Sequence, residues 1–420
     1  MFRNFFWMGL SSGVRLGTGL VLFILIARHL GPKEFGHYMF WYGTAALCSL
    51  LPNYGLANML LKEIAQHPEN VTNTLSATLS LRFTLSSIIF LCAMVSSVMV
   101  DRPELLLALL LAHLVEIISE TLYVGYRALG HYDRESQLAA CASILQFAFV
   151  IVAVITNQKT AVIALSHLAG KVAQLFLMLP ISRRIFGTLS LQPIYKSFKL
   201  ARRTKAYAID NIFGSAFGNI DSIILRTFAG VDVVGIYQSG MRIFQGGNQV
   251  APILGNVFLP EMAKQTLKKE NNSRITLILQ TSFLSYGLIF GLILAYFSDQ
   301  IVDYAFGNNY NQLKTLLPLF GLLFYIRFFA AAWGVVLTAT GYQGFRAKAA
   351  LIHWIVALPL GSYLTNSLKA QGWIITLILT SLLLGVLFVH KTIRSNLGIS
   401  VKLNVGMAIF GGMFFIPKFI

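Results

Sequence analysis

The segment "LGPKEFGHY", residues 30–38, follows the first long apolar stretch of the chain and returns in the second half as "AGVDVVGIY", residues 229–237. Gly31, Gly36 and Tyr38 have the same mutual spacing as Gly230, Gly235 and Tyr237. Glycine supplies the backbone freedom that a tight turn between two helices requires, and a tyrosine just beyond it suits the aromatic belt at a membrane surface. A shorter echo pairs "RALGHYDR", residues 127–134, with "TATGYQGFR", residues 338–346. The two echoes read as the turns of an internal repeat.

The surroundings of these turns set the class. Hydrophobic residues make up 56% of the 420 positions and charged residues only 12%, the composition of a polytopic integral membrane protein. A membrane-crossing helix needs roughly 20 mostly apolar residues. Such segments lie near 6–28, 36–58, 74–100, 104–126, 138–156, 160–182, 206–228, 233–259, 275–298, 314–338, 347–366 and 371–391. The expectation is an all-α protein of about twelve transmembrane helices. A β-barrel would alternate apolar and polar residues, which these uninterrupted runs do not.

The longest loop, residues 183–205, separates two sets of six spans, a lobe over 1–190 and a lobe over 191–400, with a short apolar tail at 401–420. Six is even, so both sets enter the membrane from the same side and the repeat is parallel. The piece at 403–417 is open to three readings: a thirteenth span, an interfacial helix, or the start of a truncated pair. "MFRNFF" runs into a long span without a small-residue cleavage site, which indicates a retained helix rather than a signal peptide. Cys48, Cys92 and Cys141 all fall within spans, so neither a disulfide framework nor a metal site is expected.

A net charge of +17 invites a nucleic-acid reading. The positions of the charges argue against it. With a cytoplasmic N-terminus, most Lys and Arg fall in cytoplasmic loops, densest at Arg183, Arg184, Lys196, Lys199, Arg202, Arg203 and Lys205. That is the positive-inside pattern, with contact to anionic lipid as its ordinary consequence.

The segments "ARHLGPKEFGHY" and "FGNIDSIILRTFAGVDVVGIYQSGMRIF", the "VFLP" that follows, and the basic-looped spans together resemble the polysaccharide biosynthesis proteins. These are the O-antigen (Wzx-type) flippases of the multidrug/oligosaccharidyl-lipid/polysaccharide exporter superfamily. The resemblance implies two six-helix lobes around a central cavity. It further implies movement of undecaprenyl-pyrophosphate-linked oligosaccharide between the leaflets of a bacterial inner membrane, ion coupling, no cofactor, and partnership with polysaccharide polymerase and chain-length proteins.

The ionisable residues within the spans lead to a compatible place. A charge in hydrocarbon is costly, so such residues face the bundle interior or a wet cavity and mark a pathway. Arg15, Arg82, Lys171, Arg242 and Arg327 are expected to line a cationic cavity, whereas Arg226, near a span end, snorkels to the interface. Arginine offers a fork of donors that matches phosphate oxygens and lysine a point charge, as a pyrophosphate headgroup needs. His113, Glu116 and Glu120 share one helix face, and Asp210 and Asp221 another. Two roles stand for these carboxylates: proton coupling, or salt bridges that hold the bundle together. His113, Gln174, Asn211 and Asn219 read as interhelical hydrogen-bonding residues. Trp7, Trp41, Tyr42, Tyr123 and Tyr126 are candidates for sugar stacking or interface anchoring.

Two further classes remain as alternatives. A multidrug exporter would favour an acidic, aromatic cavity, and here intramembrane cations outnumber carboxylates. A glycan polymerase or glycosyltransferase would carry a large polar loop with catalytic carboxylates, and the longest loop is short and basic. No phosphate-cradling glycine motif, metal-ligand cluster or nucleophile with its base is present in the sequence.

Overall fold

The computed structural model describes residues 2–193, 195, 197–202, 204, 205, 208, 219–267, 273–395 and 401–418. They are almost entirely α-helical, with no strand among them. The chain divides into two compact units, Met1–Ile223 and Ile224–Ile420. In chain order the helices are α1 (Phe2–Asn53), α2 (Leu56–Gln66), α3 (Val71–Ser96), α4 (Pro103–Ala128), α5 (Tyr132–Ile155) and α6 (Thr160–Phe186). Next come α7 (Ile220–Ala229), α8 (Val231–Asn248), α9 (Val250–Leu267), α10 (Ser273–Tyr296), α11 (Ser298–Ala305), α12 (Asn311–Ala339), α13 (Gln343–Arg394) and α14 (Val401–Met413).

Eight helices among the described residues are long and apolar enough to cross a membrane, so this is a multi-pass membrane protein. The figure differs from twelve for local reasons. Each 52-residue helix, α1 and α13, joins two expected spans across a single non-helical residue, Gly31 (φ 72°) in α1 and Lys369 (φ 53°) in α13. The span expected at 36–58 ends at Asn53, because Tyr54 and Gly55 are left-handed, and α2 starts at Leu56 as a separate amphipathic helix. The span expected at 233–259 is interrupted at Gln249, and that at 206–228 lies partly outside the described residues. With 13 residues, α14 is shorter than a crossing requires.

The repeated turns have repeated geometry. Gly31 and Gly230 both hold positive φ with extended ψ (72°, 171° and 95°, 168°). Gly130 and Gly341 both lie in the left-handed region (80° and 84°). Around these two glycines the backbone bonds recur: His131 N donates to Tyr126 O at 2.9 Å, and Tyr342 N donates to Leu337 O at 2.8 Å. Tyr38 and Tyr237 are fully buried rather than placed in an interface belt. The Tyr38 hydroxyl lies 3.0 Å from His167 Nδ1, and the Tyr237 ring packs 5.4 Å from that of Phe320.

Of the candidate spans, α4 is the most enclosed in the first unit and α12 in the second. Phe320, Phe324 and Phe328 of α12 interlock with Phe244, Phe283, Tyr286 and Phe290, and the Phe290–Phe324 centroids are 4.5 Å apart. Contact between α10 and α12 is closest where Gly291 faces Gly321; a Cβ added at Gly321 would lie 2.3 Å from Gly291 O. Small residues permit this backbone approach. At one end of the first unit the Glu34 carboxylate accepts from Arg102 Nη2 at 2.7 Å and Thr160 Oγ1 at 2.6 Å. His29 Nε2 reaches Gln158 O at 3.0 Å beside it. Three inter-helix connections are thereby tied together.

Candidate functional site

In the first unit α1, α4, α5 and α6 enclose a cavity of about 370 Å³. Arg15, His113, Glu116, Glu120, Arg127, Glu135 and Lys171 supply its charged and titratable lining, with Asn53, Gln146 and Gln174 among the polar groups. The spacing of His113, Glu116 and Glu120 along α4 sets all three on the cavity wall. Their charges are largely matched within the protein. Lys171 Nζ forms an ion pair with Glu116, and Arg127 with Glu135. The Arg15 guanidinium makes no hydrogen bond or ion pair with any described residue and faces the cavity.

Arg82 is placed differently from its expected cavity role. It is fully buried, and its Nη1 donates to Ile117 O at 2.6 Å and to Thr121 Oγ1 at 2.8 Å. Its Nη2 donates to Asn53 O and Oδ1, both at 3.3 Å, and pairs with Glu120 at 3.2 Å. The guanidinium thus satisfies the end of α1 and clamps it to α3 and α4. Depth in the bundle is the same for a clamp as for a cavity residue, and only the helix face distinguishes them.

The second unit holds a cavity of about 550 Å³ between α8, α12 and α13. Arg327, Arg346 and His353 line it together with Asn248, Gln343 and Trp354. The Arg327 guanidinium sits 5.6 Å from the Phe244 ring centroid, within the range of a cation–π contact. Arg242 lines neither cavity, and its Nη1 donates to Gln245 Oε1 at 3.3 Å. Asp221 is buried, accepts from Ser222 N at 2.7 Å and also lines neither. Asp210 lies outside the described residues. Among the described residues no group of His, Cys, Asp and Glu is arranged to hold a metal.

Residues 1–266 match the family described as polysaccharide biosynthesis protein. The chain belongs to that family. It is similar to the lipopolysaccharide biosynthesis protein WzxC of Escherichia coli (strain K12), with 21% identity over 330 residues, 74% of this chain and 64% of the relative. The chain therefore spans just under two thirds of that relative's length. Its fold is that of the lipid II flippase MurJ in an inward closed conformation: TM-score 0.75 at 11% identity, covering 97% of this chain and 91% of MurJ. It is also that of an inward-facing multidrug resistance MATE family transporter of the MOP superfamily: TM-score 0.63 at 15% identity, covering 91% and 95%.

Four lining residues of this family member escape a reading by hydropathy: Arg127, Glu135, Arg346 and His353. The first three fall where apolar runs stop and so read as loop charges. The repeated turn carried the available signal, since Arg127 and Glu135 flank Gly130 as Thr338 and Arg346 flank Gly341, eight residues apart in both cases.

Proposed function

We propose that this protein is a flippase that moves undecaprenyl-pyrophosphate-linked oligosaccharide from the cytoplasmic to the periplasmic leaflet of a bacterial inner membrane by alternating access. The observation that carries the reading is Arg15, a guanidinium within a membrane-spanning helix that faces a polar cavity and makes no hydrogen bond or close ion pair with any described residue. The Glu116 carboxylate lies near enough to act on it but is itself paired with Lys171, so a cation at that depth gains from a further anion, and a diphosphate ester supplies one. Arg15 receives the headgroup, and Lys171 joins it when its pair with Glu116 opens. Protonation of Glu116 releases Lys171 and so couples transport to a proton gradient, while Glu120 stays engaged with Arg82. The family membership supports a carbohydrate-linked cargo. The N-terminus is cytoplasmic in this reading, and polysaccharide polymerase and chain-length proteins consume the cargo outside.

The test is flipping of pyrophosphate-linked oligosaccharides in proteoliposomes, measured as loss of cargo from one leaflet with and without an imposed pH gradient. Arg15→Ala is expected to lower the initial rate at least tenfold with normal amounts of folded protein, and Glu116→Gln to remove the response to the gradient. Full activity of Arg15→Ala sinks the cargo role. Export of cationic drugs without movement of any lipid-linked sugar would replace this reading with the multidrug one.

A further inference from the structure

The cavity of the second unit differs in charge from that of the first at repeat-related positions. Counted from the left-handed glycine of the shared turn, Glu116 and Arg327 are both fourteen residues upstream, and Glu135 and Arg346 both five residues downstream. Two carboxylates that neutralise the first cavity are thus two arginines in the second. None of the described residues lining the second cavity is acidic.

The local structure is built to hold Arg346 there. Seven residues before the glycine stands Tyr123 in the first unit and Gly334 in the second. The Arg346 guanidinium occupies the space over Gly334, where an added Cβ would come within 3.4 Å of its Nε. Its Nη1 donates to Thr338 Oγ1, while Nε is buried without a partner among the described residues. Two guanidinium groups facing one cavity repel each other, and the Nε of Arg346 is shut off from water, so their arrangement is favourable when an anion joins them. A volume of about 550 Å³ lies within the usual span of small-ligand sites.

We infer that the cavity of the second unit is a binding site for a phosphate-class oxyanion held between Arg327 and Arg346, with Asn248 and Gln343 as neutral donors. The inference rests on the flippase reading only if the oxyanion is the diphosphate of the cargo. An anionic lipid headgroup would meet the same chemistry.

The experiment is calorimetric titration of inorganic pyrophosphate into the full chain in nanodiscs of neutral phosphatidylcholine. All titrations are made in protein carrying Arg15→Gln, which removes the headgroup contact proposed for the first cavity, and this protein should bind at one site. Arg327→Gln and Arg346→Gln should each weaken binding about tenfold or more, as loss of a charged hydrogen-bonding partner does. Arg346→Lys should fall in between, and Arg134→Gln, on the exposed start of α5, should bind normally. Folding is checked by elution profile and unfolding temperature, and Arg346→Lys serves if a glutamine variant does not fold. No binding, or unchanged affinity in folded Arg327→Gln and Arg346→Gln, overturns the site. In discs containing phosphatidylglycerol, a loss of pyrophosphate affinity that Arg346→Gln abolishes supports the site with lipid headgroup as occupant. Unchanged affinity there supports it with a diphosphate as occupant. Loss of the site with intact flipping leaves the transport reading standing, whereas pyrophosphate binding without flipping of any lipid-linked sugar removes that reading alone.

Discussion

Glu135 and Arg346 occupy the same place in two copies of one turn and carry opposite charges. Glu135 faces Arg127 across Gly130, and Arg346 faces Thr338 across Gly341. The backbone bonds of the two turns match, so the pair should be portable. Thr338→Arg combined with Arg346→Glu is expected to fold with an unfolding temperature close to that of the unaltered protein. Thr338→Arg alone sets two cations together and should lower stability by about 1 kcal/mol for a partly exposed pair, seen as a lower unfolding temperature. Equal temperatures for the single and double variants would show that the turns are not interchangeable.

Arg82 is a structural residue and should behave as one. Arg82→Ala leaves Glu120 without its cation and strips donors from Asn53 O, Ile117 O and Thr121 Oγ1. The expected cost is about 3–5 kcal/mol, seen as reduced recovery of folded protein from membranes. Normal recovery with lost transport would assign Arg82 to the cargo instead.

For Lys171 and Glu116 the stability effects should not add. Lys171→Ala abandons a carboxylate inside the bundle, and Glu116→Gln abandons an ammonium, yet the double variant abandons neither. The double-variant cycle should give a coupling of about 1–3 kcal/mol, read from unfolding in mild detergent. Strict additivity would mean that the pair does not form in the membrane.

Gly321 is a steric rather than a conformational requirement. Its added Cβ would fall 2.3 Å from Gly291 O, a backbone atom that cannot rotate away. Gly321→Ala should therefore part α10 from α12 and destabilise the second unit by about 2 kcal/mol or more. Gly307→Ala, with open space around it and φ 83°, ψ 179°, carries only the backbone penalty of a region that favours glycine, about 1–3 kcal/mol. An unfolding series in which Gly307→Ala is the more damaging of the two would contradict this packing.

Orientation follows from the basic loops. Reporters fused within 183–205 and 261–274 should report cytoplasm, and those near Asp232 and Asp303 periplasm. Opposite signals at the two basic loops would overturn the parallel arrangement of the repeat.

Membrane class and most helix positions are legible in the sequence because apolar runs of span length have few other uses. The turn at Gly31 is legible from its echo at Gly230. Helix breaks at Tyr54–Gly55 and Gln249 are not, since hydropathy continues across them and the interruption is made by backbone conformation. For the candidate sites, residue type and depth select Arg15, Glu116, Lys171 and Arg327 as ionisable groups of the bundle. They do not separate a cavity-facing Arg15 from a clamped Arg82, because that depends on which neighbour each helix face meets. Arg346 is hidden by another cause: it begins a helix just after a turn, where a cation ordinarily belongs to solvent.

The tie at Glu34 makes one pole of the first unit stiff. Because Arg102 and Thr160 share that carboxylate, the starts of α4 and α6 and the middle of α1 are pinned at a common point. Leverage should then place the widest excursions of α4 and α6 at their far tips, near Arg127 and Phe186. A covalent staple across the Glu34 pole should leave such breathing intact, whereas the same staple beside Arg127 should freeze it.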